Sequence, residues 1–275
     1  MNYIVDIQKS IEYIENNLEQ DINYENIARY VGMSSFYFHR IFSAIVGISP
    51  AEYIRNRRLT YAADELTRTD TNILDIAIKY GFGSNESFSR AFTKFHGISP
   101  KLAKKKGFEL KSFGKITLNL TIEGGNIMDY RIEKRDCFKI SAIVRNFNLQ
   151  TSQKEIPEFW KDVKEKGILN KFSKTSTRNV VGICLGDYGD EEFQYGIGAE
   201  LENEEEPIKG SEIIEIPESL WVVFKCKGQN PKDINELWSR IYKEYFLTSE
   251  YKQSMDYDFE LYDSDDTEIW IPITK

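Results

Sequence analysis

Two short stretches of this 275-residue chain carry side chains able to hydrogen-bond the edges of nucleic acid bases: Ser35, Tyr37, His39 and Arg40 in one, Asn85, Glu86, Ser89 and Arg90 in the other. Each set is interleaved with phenylalanines four residues apart, Phe38 and Phe42 in the first stretch and Phe88 and Phe92 in the second. A helix with that spacing buries the phenylalanines and turns the polar set outward. Arginine at the same place in both stretches suits a phosphate oxygen or the major-groove edge of guanine. Glu86 would repel phosphate, so facing DNA it accepts from a cytosine amino group or acts against wrong sites.

The elements that must hold these side chains are themselves repeated. SSFYFHRIFSAIVGISP (34–50) and SNESFSRAFTKFHGISP (84–100) share a serine, two phenylalanines, an arginine and the closing Gly-Ile-Ser-Pro. Upstream, Ile27-Ala28 and Gly32 correspond to Ile76-Ala77 and Gly81. Gly32 and Gly81 can take the positive φ that ends a short helix, and Ser34 and Ser84 cap the next. Ser49-Pro50 and Ser99-Pro100 then read as the cap and first position of a following helix. The pattern is a helix-turn-helix, present twice.

On these motifs, and on GISPAEYIRNRRL and ILDIAIKYGFGSNESFSRAFTKFHGISP in particular, residues 5–107 resemble the paired helix-turn-helix domain of the AraC/XylS family of transcriptional regulators. The family often continues after the second Ser-Pro with a tyrosine and an arginine, where this chain has Lys101-Leu102-Ala103-Lys104-Lys105-Lys106. The resemblance implies an all-α double helix-turn-helix DNA-binding domain over 1–107, its two recognition helices entering successive major grooves of double-stranded DNA about 34 Å apart. The copies differ at Ser35/Asn85, Phe36/Glu86, Tyr37/Ser87 and His39/Ser89, so the operator is expected to be asymmetric, with two unlike half-sites.

Charge divides the chain at about the same place. Residues 1–115 hold 16 Lys+Arg against 13 Asp+Glu, net +3, and residues 116–275 hold 20 against 31, net −11. Arg55, Arg57 and Arg58, with Lys101, Lys104, Lys105 and Lys106, are candidates to lie along phosphates, and the acidic remainder is not. No apolar run reaches the length of a membrane span, and the N-terminus lacks a secretory pattern, so a cytoplasmic protein with no membrane partner is expected. Cys137, Cys184 and Cys226 form no C-x-x-C pair, and His39 and His96 are not placed to complete a metal site. Neither a phosphate-binding glycine loop nor a Ser-His-Asp set is present, so no cofactor and no enzyme are expected.

Beyond a linker at 108–128, read as containing one strand from the alternation over Lys115–Ile122, the chain parses as two similar α+β halves. Strands are expected near 130–148, 179–187, 193–201, 211–226 and 256–274, with helices near 154–166 and 233–247. FQYGIGAEL, IPESLWVVFKCKG, INELWSRIYKEYF and DFELYDSDDTEIWIPI resemble the GyrI-like effector-binding domain, a duplicated strand-helix-strand-strand unit with a ligand groove between its halves, here spanning 129–275. By that resemblance Glu260 matches a glutamate that many members place in an aromatic pocket to hold cationic, lipophilic ligands, with Tyr195, Trp160, Trp221 and Trp238 as candidate walls. Alternation with Phe259 and Leu261 puts Glu260 on the opposite face of its strand, which can be solvent or cavity.

The combined expectation is a multidomain transcriptional regulator, an activator, responding to a small lipophilic or cationic effector and acting through DNA and RNA polymerase. Two alternatives stay open for the C-terminal half: it binds a protein partner, or it hydrolyses a reactive small molecule with Glu260.

Overall fold

The computed structural model describes residues 3–275 except 106, 119–127, 176–178, 188–190, 202–205, 255–256 and 264–265. The first hundred residues fold as α1 (Tyr3–Asn16), α2 (Tyr24–Tyr30), α3 (Ser35–Val46), α4 (Pro50–Arg68), α5 (Ile73–Lys79), α6 (Asn85–His96) and α7 (Pro100–Ala103). Local chemistry sets their ends. Ser34 accepts from the Tyr37 amide to start α3, and Ser84 and Ser87 form a reciprocal capping box at α6. Both α3 and α6 stop on a left-handed glycine, Gly47 and Gly97, and Ser49 and Ser99 cap the helices that follow. Phe38, Phe42, Phe88 and Phe92 are fully buried.

Three of the basic residues expected on phosphates serve the fold instead. Arg57 is buried, donates to both carboxylate oxygens of Glu15 (2.8 and 2.7 Å) and also reaches the carbonyl of Phe113. Arg58 donates to the carbonyls of Leu18 and Gln20, satisfying backbone acceptors just beyond α1. Lys104 likewise caps the carbonyls of Asp70 and Thr71 at 3.0 and 2.7 Å. Lys106 lies outside the described residues.

The expected linker strand is absent over its described part. Phe113, Ile116 and Leu118 pack onto the first helix-turn-helix unit, and their amides donate to Thr60, Tyr53 and Gln8 side chains at 2.9, 3.4 and 3.1 Å. Alternating apolar residues here meet a helical surface with side-chain acceptors, so no neighbouring strand is needed; residues 119–122 of the expected strand lie outside the described residues.

The C-terminal half contains β1 (Tyr130–Arg135), β2 (Phe138–Asn148), α8 (Ser152–Glu165), α9 (Ile168–Thr175), β3 (Val180–Asp187), β4 (Glu192–Leu201), β5 (Glu212–Ile216), β6 (Ser219–Lys227), α10 (Pro231–Arg240), β7 (Lys252–Gln253), β8 (Asp258–Tyr262) and β9 (Asp266–Thr274). A π-helical turn, Ile241–Tyr245, extends α10. The strands form one antiparallel sheet in the order β1-β6-β9-β8-β3-β4-β2-β5, with β7 pairing β9. The order exposes the duplication: β2-α8-β3-β4 matches β6-α10-β8-β9, and the halves join where β3 pairs β8.

Alternation gives this sheet two differently used faces. Tyr195, Ile197, Val222, Phe224, Ile269 and Ile271 face the helices and share one continuous core with the first helix-turn-helix unit. Trp221, Val223, Phe259 and Trp270 face the other way and form a separate core with residues of β2 and β3. The second helix-turn-helix unit has a core of its own around Phe88 and Phe92. Among the described residues no helix is long and apolar enough to cross a membrane.

Candidate functional site

Glu260 lies near the middle of the sheet, on β8 opposite Gly182 of β3, with its side chain on the helix-facing side. Trp238 of α10 donates its indole N–H to Glu260 Oε1 at 2.7 Å, and the Tyr262 hydroxyl donates to Oε2 at 2.5 Å. From the other half, the Trp160 ring of α8 meets Tyr262 edge-on at 4.9 Å and donates its N–H to the Tyr195 hydroxyl at 3.0 Å. Four of the five expected pocket residues, Glu260, Tyr195, Trp160 and Trp238, are thus brought together across the pseudo-symmetric join. Gly182 makes the arrangement possible: a Cβ there would stand 2.1 Å from the Tyr195 hydroxyl oxygen and 3.0 Å from Trp160. Burial pushes the Glu260 carboxyl above the ordinary carboxylate range, against the pull of the Tyr262 and Trp238 hydrogen bonds and of nearby Arg40.

Trp221 does not join them. It is fully buried on the reverse face of the sheet, packed edge-on against Phe259 at 5.1 Å. Within β6, Val222 and Phe224 face the helices and Trp221 has the opposite parity.

The groove between the halves is filled, and its occupant is α3, which lies against β3, α10 and the π-helical turn. Phe36 rests on Phe193 of β4 at 4.7 Å between ring centres. The Arg40 guanidinium lies 3.5 Å over the Trp238 ring and donates to Asp258 Oδ2 at 2.6 Å. The Ser239 hydroxyl donates to the carbonyl of Ala44 at 3.3 Å. Burial works against the Arg40 charge, but Asp258 outweighs it and holds the guanidinium well above its ordinary pKa. Asp258, Tyr262 and Cys184, absent from the sequence-based candidates, therefore belong to this site; Cys184 is the β3 partner of Asp258, and burial pushes its thiol pKa up.

The base-reading candidates divide accordingly. On α6, Asn85, Glu86 and Arg90 are exposed and Ser89 is half-buried, bonded only to Asn85 among the contacts described (3.1 Å). On α3 the expected outward face is covered: Ser35 and Tyr37 are buried, Arg40 is ion-paired, and His39 has its Nε2 shut away. The pattern of turns and phenylalanines placed the helix correctly, but the groove of a domain more than a hundred residues downstream covers its free face. Burial lowers the His39 pKa to about 4. His96 donates from Nε2 to the Leu59 carbonyl at 3.2 Å and accepts at Nδ1 from the Lys111 amide. Among the described residues no group of three or more His, Cys, Asp or Glu is placed to hold a metal ion.

Residues 27–106 match a helix-turn-helix family, and residues 131–273, more than half of the chain, match the integron-associated effector binding proteins of the Cass2 type. YbfP of Bacillus subtilis (strain 168), an HTH-type transcriptional regulator, is 46% identical over 100 residues, covering 36% of this chain and 34% of YbfP. This chain thus aligns to about a third of that relative's length. AarP of Providencia stuartii, an HTH-type transcriptional activator, is 41% identical over 96 residues, covering 35% of this chain and 71% of AarP. The integron cassette protein VCH_CASS2 of Vibrio cholerae is 19% identical with a TM-score of 0.42, over 53% of this chain and 95% of that protein. The chain belongs to the AraC/XylS-type regulators, with a Cass2/GyrI-like effector-binding domain following the paired helix-turn-helix.

Proposed function

We propose that this protein is an effector-responsive transcriptional activator whose C-terminal domain takes a lipophilic aromatic cation at Glu260. One observation carries the reading: the Glu260 carboxylate is held by two neutral donors, Trp238 and Tyr262, and makes no ion pair among the described residues. A partly buried carboxylate framed by indole and phenol rings favours a cation by ion pairing and by attraction to the ring faces. The matched relatives are transcriptional regulators, which gives hydrolysis by Glu260 no support.

On the DNA side, α6 and α3 are the reading elements, and their unlike side chains call for an asymmetric operator with RNA polymerase as the downstream partner. The test is quenching of tryptophan fluorescence by tetraphenylphosphonium, with triphenylphosphine oxide as neutral analogue, on the wild-type protein and on Glu260→Gln. Saturable quenching by the cation alone, weakened about tenfold or more by the substitution, is the expected result. Equal quenching of both proteins would remove Glu260 from the site.

A further inference from the structure

We propose that Arg40 is a tethered stand-in for the effector's cation: an effector bearing a planar guanidinium or amidinium on an aromatic body binds by displacing Arg40 from Trp238 and Asp258, and this frees α3 for DNA. The inference rests on the reading of the groove as the effector site.

The seat of Arg40 shows what the groove accepts. A delocalised planar cation lies flat on an indole 3.5 Å away and is paired at 2.6 Å with a carboxylate that is only 2% exposed. Guanidinium suits such a place because it is weakly hydrated and stacks on aromatic faces. Trp238 ties this seat to Glu260, since its ring face carries Arg40 while its N–H donates to the Glu260 carboxylate. Asp258 and Glu260 lie two residues apart on one face of β8, roughly 7 Å along the strand. An aromatic cation drawn to Glu260 and lying on Trp238 therefore meets the Arg40 guanidinium, and both cannot be accommodated.

The docked helix carries three unsatisfied polar atoms among the described residues. His39 Nε2, Ser43 Oγ and Tyr37 OH are buried with no hydrogen-bond partner among the described residues, and all three lie on α3. Buried polar atoms without partners weaken an interface, and the Arg40 contacts and the Phe36–Phe193 packing act beside the apolar core that the first helix-turn-helix unit shares with the sheet. Arg90, the counterpart of Arg40 in the second copy, is exposed on α6, one turn from Glu86. Two occupants that exclude one another from one seat are coupled: the ligand binds the undocked form, and removing the tethered competitor must tighten ligand binding by the factor that docking had cost.

The experiment has two arms. Wild-type protein and Arg40→Gln are titrated with phenylguanidine, and with phenylurea as the neutral isostere, by tryptophan fluorescence. Separately, Ser43→Cys is treated with a maleimide with and without saturating phenylguanidine, and labelling at position 43 is read by peptide mass so that the native cysteines do not interfere. Arg40→Gln is expected to bind phenylguanidine about tenfold or more tightly than wild type, phenylurea to bind neither, and the cation to speed labelling at position 43 several-fold. Equal affinities with unchanged labelling would overturn the displacement while leaving the effector reading intact. Failure of both proteins to bind any cation would overturn both, because Arg40→Gln has cleared the seat. If Arg40→Gln does not fold, the labelling arm, in which both charges are present, decides alone.

Discussion

Arg40 and Asp258 stand 218 residues apart in the sequence and form a 2.6 Å ion pair that closes the first recognition helix onto the effector-binding sheet. The pair changes what the two helix-turn-helix copies can do. On the reading proposed above, the chain as folded offers DNA only α6, because the face of α3 expected to read bases packs against β3, α10 and the π-helical turn. A protein partner for that groove was one of the alternatives left open by the sequence; in this structure the partner is the chain's own helix.

Substitution of the two paired arginines is therefore expected to have unequal effects. Arg90→Ala should weaken DNA binding with or without a cationic effector and, where the contact is to phosphate, lower the salt slope by about one. Arg40→Ala should leave effector-free DNA binding undiminished. Binding isotherms at several salt concentrations distinguish the cases, and equal losses from both substitutions would mean that α3 reaches DNA without effector.

Gly182 offers a test of how the aromatic frame is held. Its backbone is ordinary strand, so Gly182→Ala introduces no conformational strain, yet the added methyl would lie 2.1 Å from the Tyr195 hydroxyl. Tyr195 and its bonded Trp160 must move, and cation affinity should fall about tenfold while the sheet persists. Calorimetric titration of the variant with tetraphenylphosphonium checks this, and unchanged affinity would place the ligand away from Tyr195 and Trp160.

His39, whose ring meets Tyr24 of α2 edge-on at 6.0 Å, links the stability of the fold to pH. Its pKa is lowered to about 4 by burial, from an ordinary value of 6.5, so the folded protein favours the neutral ring. The associated stability is present above pH 6.5 and is lost as pH falls toward 4, reaching roughly 2 kcal/mol at pH 5. Urea unfolding at pH 7.5 and pH 5.0 should show wild type losing about that much more than His39→Gln; His96 is common to both proteins and cancels. Identical losses would mean that His39 titrates normally.

Much of this was legible in the chain because it is fixed locally. The glycine ends, serine caps and paired phenylalanines of α3 and α6 act within a dozen residues, and each copy corroborates the other. Strand alternation placed Glu260 opposite Phe259, but it could not say which face the helices cover, and the same ambiguity put Trp221 with the pocket although its parity is that of Phe259. The alternation at Ile116 and Leu118 was misleading because a helical surface satisfies that pattern as well as a strand does. Arg57 and Arg58 read as surface charge because their acceptors, Glu15 in α1 and the carbonyls of Leu18 and Gln20 just after it, lie about forty residues earlier. Nothing near Arg40 signals Asp258.

The most direct measurement is a hydroxyl-radical footprint on a duplex selected from random DNA, taken with and without saturating phenylguanidine. Protection of one backbone segment without the cation, and of two segments about one helical turn apart with it, is the expected result. Two protected segments in the absence of cation, or a single one in its presence, would contradict capture of α3 by the effector groove.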